Sequence, residues 1–138
     1  MVKKRLSTRS TQLEDVALHL DKELGLDTLG VEYHIDDSIR PLVNKHVLKA
    51  GKLVVEEIRK EISGGLPVSD ITLTRLDDYD AGQWSMVVFL IKVALDTQAA
   101  NDAWDRILYR ISELEESYKD QSVRKVLNEE ISIQFTWH

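Results

Sequence analysis

The chain has 138 residues, 43% hydrophobic and 30% charged, with a formal net charge of -6; this suits one domain with its own core. It contains no cysteine, which excludes a disulfide framework, thiolate metal sites and a cysteine nucleophile, and fits a reducing cytoplasm. No apolar run approaches the ~20 residues that span a bilayer.

Charge is unevenly spread. Lys3, Lys4, Arg5 and Arg9 fall in the first nine residues, which hold no acid, leaving 14 basic against 24 acidic residues, a net of -10 for the rest. A body this acidic repels a phosphate backbone and argues against nucleic-acid binding. Residues 1–10 read as a flexible basic tail without the apolar segment of a secretory signal. Residues 11–138 read as one α+β domain.

From Thr11 to Leu24, Leu13, Val16, Ala17, Leu20 and Leu24 fall on one stripe, predicting an amphipathic helix stopped by Gly25. In VEYHID, Val31, Tyr33 and Ile35 alternate with Glu32, His34 and Asp36, the pattern of a half-buried strand. Asp36, Asp37 and Ser38 offer cap chemistry, and Pro41 suits a first turn. The expected helix runs to about Ile62 and ends at Gly64-Gly65. VSDITLTRL reads as a strand with Ile71 and Leu73 inward, DDYDAGQ as a polar turn, and QWSMVVFLIKVAL as the next strand. Asp96 and Thr97 cap a helix striped by Ala100, Ala103, Trp104, Ile107, Ile111 and Tyr118. The ending ISIQFTWH alternates cleanly as a last strand.

Setting the first helix aside, the order is strand, helix, strand, strand, helix, strand. That order resembles the ferredoxin-like split βαβ fold: a four-stranded antiparallel sheet in the order 4-1-3-2, two helices on one face, and here an extra N-terminal amphipathic helix. The resemblance is general and implies no activity, since the fold carries many functions.

The third strand is apolar on both faces. Val87, Phe89, Ile91 and Val93 suit a core, which turns Trp84, Met86, Val88 and Leu90 to the other side. Burying a side chain of this size is worth ~1.5–3 kcal/mol, so four left in water forgo roughly 6–12 kcal/mol. Such a patch marks an interface. The expected cover is the first helix, through Leu13, Val16 and Leu20, or a second copy in a homodimer or larger homo-oligomer, or a different protein.

Polar candidates are weaker. Glu32, His34 and Asp36 share one strand face, and the split fold would bring Gln134 and His138 near them, a set able to do acid–base work or hold a metal. Asp77, Asp78 and Asp80 precede Gly82 without the spacing of a calcium loop. No G-x-G-x-x-G, P-loop, H-E-x-x-H or G-x-S-x-G motif is present, so no cofactor is implied. The expectation is therefore an interaction or regulatory module rather than an enzyme. The alternative is a small enzyme or a small-molecule or metal binder around His34.

Overall fold

A computed structural model describes residues 19–78 and 84–137, and of Asp78 and Trp84, the latter expected on the apolar face, it describes the backbone and not the side chain. The expected tail, Leu13, Val16, Asp80 and His138 lie outside the described residues. The described chain is α+β: a four-stranded mixed sheet with several helices.

Helix α1 (Leu20–Leu24) is the described end of the expected first helix, and Gly25 ends it in the left-handed region at φ +85°. Strand β1 (Glu32–Ile35) follows. The long helix starts later than expected. Asp36 does cap, accepting from Ser38 N–H at 2.9 Å, but it caps a separate 3₁₀ segment, Asp37–Leu42, that contains Pro41. The chain is then extended at Val43 and Asn44. There the Asn44 side chain accepts from His46 and Val47 N–H, both at 2.9 Å, and opens α2 (Lys45–Ser63).

Strand β2 (Val68–Asp78) runs two residues further than VSDITLTRL, so Asp77 and Asp78 are strand residues rather than a turn. A side-chain cluster holds Asp77 there: Arg75 Nε donates to its carboxylate at 2.7 Å, and Ser85, its register partner, also donates to it. Strand β3 (Trp84–Val93) leads to α3 (Thr97–Ser117), capped by Asp96. A further helix, α4 (Gln121–Glu129), fills what reads in the sequence as a short link. Its signals are nonetheless regular: Asp120 caps it, and Val123, Val126 and Leu127 are buried at helical spacing. Strand β4 (Ile131–Trp137) closes the sheet.

The sheet corrects the ferredoxin-like expectation. Its order is β1-β2-β3-β4, with β1–β2 and β3–β4 parallel and only β2–β3 antiparallel. Each parallel pair is joined by helical crossover, so consecutive strands are neighbours. The core lies on one face, where Ile71, Leu73, Phe89, Ile91, Ile133 and Phe135 meet Val54, Ile58, Ala103, Ile107 and Val126 of the helices. Both crossovers step the same way across that face, but the β2–β3 hairpin reverses chain direction between them. The two therefore have opposite hand, and one departs from the right-handed rule that the split arrangement would have satisfied.

Leu20 also stands corrected. It is 2% exposed and belongs to the helix-side core, lining a small void with Ile39, Val47 and Phe89. It does not cover the opposite sheet face. Beside it, Leu24 Cδ2 lies 2.6 Å from where a Cβ on Gly51 would stand. That contact yields a prediction with a sign change. Gly51→Ala should destabilise the parent by about 1 kcal/mol, because overpacking outweighs the helix gain. In a Leu24→Ala background the same change should stabilise by about 0.5–1 kcal/mol, the helix gain alone. A four-way cycle of urea melts checks this, and equal effects in both backgrounds would refute it.

Candidate functional site

The sheet face turned away from the helices takes its residues from all four strands, in register. Alternation along β3 sends Met86, Val88 and Leu90 to this face, as expected. Their cross-strand neighbours are Leu76 for Met86, Thr74 and Ser132 for Val88, and Thr72 and Gln134 for Leu90. Strand β3 is indeed internal, but it is flanked by β2 and β4 rather than by β1. Thr72 in turn lies beside His34. Among the described side chains, the charged residues of this face, Glu32, Asp70 and Lys92, are register neighbours at one end of it.

The side chains are less exposed than the sequence suggests. Val88 is buried, at 3% exposure, while Met86 and Leu90 are half-buried. Leu76, which alternation along VSDITLTRL places on this face with Thr72 and Thr74, is the most open of the group at 43%. Completing the burial of Leu76, Met86 and Leu90 is worth about 1 kcal/mol each. The apolar gain open to any cover of this face is therefore well below the sum expected for four fully wetted side chains.

The polar candidates are scattered by the strand order. His34 is on β1 at one margin and Gln134 on β4 at the other, three strand spacings or about 14 Å apart. The expected set of Glu32, His34 and Asp36 with Gln134 therefore does not converge. Among the described residues, no three of His, Asp and Glu are grouped to hold a metal ion. His34 and Asp36 instead line an open groove of about 280 Å³ with Tyr33, Asp37, Arg40 and Asp21. In it Tyr33 Oη donates to Asp21 at 2.6 Å, which pulls the Asp21 carboxyl below its ordinary range and pushes the Tyr33 phenol up. Asp36 is likewise held low by the Ser38 N–H it caps. The hydrogen bonds of Asp21 and Asp36 therefore serve the local fold.

A second cleft, of about 570 Å³, lies between β3 and α4, lined by Ser85, Met86, Lys125, Asn128, Glu129 and Glu130. Its polar groups are of mixed sign. Met86 reaches both this cleft and the sheet face. Among the described residues no helix is long and apolar enough to cross a membrane. Comparison with known proteins finds no matching family model, no matching curated protein and no matching solved structure.

Proposed function

We propose that this chain is an interaction module that works through the sheet face turned away from its helices, taking a second copy or another protein there. The observation that supports it is an uncharged zone on a strongly charged chain. Leu76, Met86, Thr74, Val88, Ser132, Thr72, Leu90 and Gln134 are contiguous by register, and among the described side chains the charged ones, Glu32, Asp70 and Lys92, stand at one end of the face. Interface centres are depleted of charge and rimmed by it in this way.

Leu90→Glu tests the reading. The substitution puts a charge at the centre of the zone while leaving Phe89 and Ile91, on the opposite face, in the core. Light scattering across a dilution series should show the parent shifting between 15.8 kDa and about twice that mass, and the variant remaining at the lower value. Where the parent binds another protein instead, the variant loses that complex. A variant that matches the parent in mass, partner binding and thermal stability would refute the reading.

A further inference from the structure

Charge on this acidic chain is unevenly mixed. From Ser38 to Val55 it holds no acid, while Arg40, Lys45, Lys49 and Lys52 are basic. The three lysines fall on α2 at spacings of four and three residues, which stacks them on one face. That face lies opposite the buried stripe of Val47, Ala50, Val54 and Ile58. Lys45, Lys49 and Lys52 are exposed, and exposed Lys60 extends the row to about 22 Å along the helix. Glu56, the acid within this row, is paired with Arg59. Among the described residues, Lys45, Lys49 and Lys52 enter no ion pair.

This placement works against the helix. A helix N-terminus carries partial positive charge and favours acids in its first turn. The first turn of α2 has none, and Lys45 and His46 hold its first two positions. Lys45 and Lys49, four residues apart, also repel each other. Sequences break such local preferences where function requires it.

The surroundings of the row select among anionic partners. A small anion would sit on free backbone N–H groups of the first turn, but the Asn44 side chain already takes those of His46 and Val47. A membrane surface or a nucleic-acid duplex is broader than one helix and would also meet α3. That helix lies beside α2, joined to it by the Glu57–Arg110 and Glu61–Arg106 pairs, at an axial distance of roughly 8–10 Å. Its face opposite Ala103 and Ile107 carries Asp102, Asp105, Glu113 and Glu116, all exposed. These acids repel a broad polyanion. A narrow acidic chain can follow α2 without meeting them.

We propose that the outer face of α2 docks an acidic segment of a partner protein, with Lys45, Lys49 and Lys52 on its carboxylates. The acids of α3 fence one flank and keep wider polyanions away. Each contact is an exposed ion pair, weak by itself and screened by salt. The surface lies on the helix side of the molecule, and it stands whether or not the sheet face takes a partner.

The test titrates the full chain into fluorescein-labelled poly-L-glutamate at low salt and follows anisotropy. The parent should bind, and its affinity should fall as sodium chloride is added. Lys45→Glu combined with Lys49→Glu turns two attractions into repulsions and should weaken binding roughly tenfold or more. The same double variant should melt no lower than the parent, because glutamate suits a first turn, so lost binding is not lost fold. Lys125→Glu, on α4, makes the same charge change as Lys49→Glu and should bind as the parent does. Leu90→Glu, on the sheet face, should also bind as the parent does. A parent that does not bind overturns the proposal. An unaffected double variant overturns it and assigns the binding to other bases of the chain. Weakening by Lys125→Glu equal to that by Lys49→Glu overturns it as an effect of net charge alone. Tighter binding of a DNA duplex or of phosphatidylserine vesicles than of poly-L-glutamate overturns the choice of partner and with it the proposal.

Discussion

Phe89→Ala should remove about 3–5 kcal/mol of stability, the largest loss expected from a single truncation in this chain. Phe89 is 1% exposed and sits in an internal strand between Leu73 and Ile133. The helices close over it, so the surroundings cannot collapse freely into the space it leaves. A domain of this size has roughly 5–15 kcal/mol in total, and the loss would show in urea as a much lower midpoint with an unchanged slope. Leu90 is its sequence neighbour on the other face and is only half-buried. Leu90→Glu should therefore alter association far more than folding. A Phe89→Ala loss below about 1 kcal/mol, well under the range for such truncations, would mean that this face is not the core.

Glu61→Gln comes second, at about 2 kcal/mol near neutral pH. Glu61 is 8% exposed on α2 and receives Arg106 at 3.0 Å and Arg110 at 2.6 Å from α3. Glu57, 6% exposed, stands 2.8 Å from Arg110 Nε. Removing one partner of a buried pair costs about 3–5 kcal/mol, but the arginine side chains are 54% and 33% exposed and turn partly to water, which reduces the loss. Burial alone would raise the Glu61 carboxyl; the hydrogen bonds from Arg106 and Arg110, with their charge, more than reverse this and hold it below 4.5. Because the folded value lies below the unfolded one, the stabilisation is complete above about pH 4.5, near the ordinary glutamate value, and is lost as pH falls through the folded value. The parent should lose stability between pH 4.5 and lower pH more steeply than Glu61→Gln. Parallel acid limbs in chemical-denaturation series would contradict this account.

Much of the architecture could be read along the chain because it depends on neighbours in sequence. The alternation in Ile131–Trp137 and in β3 predicts strands, and the stripe through Val47, Val54 and Ile58 predicts α2. Asp96 and Gly25 mark ends through local hydrogen bonds. The errors were also local. Asn44 outcompeted Asp36 as the cap of α2, and α4 was passed over because nine residues following another helix look like a link.

The polar candidate site failed for a different reason. Whether His34 and Gln134 meet depends on which strands are adjacent, and no local pattern encodes adjacency. The split order keeps both crossovers right-handed, so general preference favoured it. Here the helices pack on one side of a sheet whose strands follow chain order, and that packing puts β1 and β4 at opposite margins. Leu20 is a similar case: its stripe required burial without saying against which face. By itself the sequence determined an α+β chain whose third strand is apolar on both sides, because alternation and burial energy act residue by residue. Only the tertiary structure decided that β1 and β4 stand at opposite margins, that β3 lies between β2 and β4, and that Trp104 bonds the β4 edge, because these depend on what lies beside each strand.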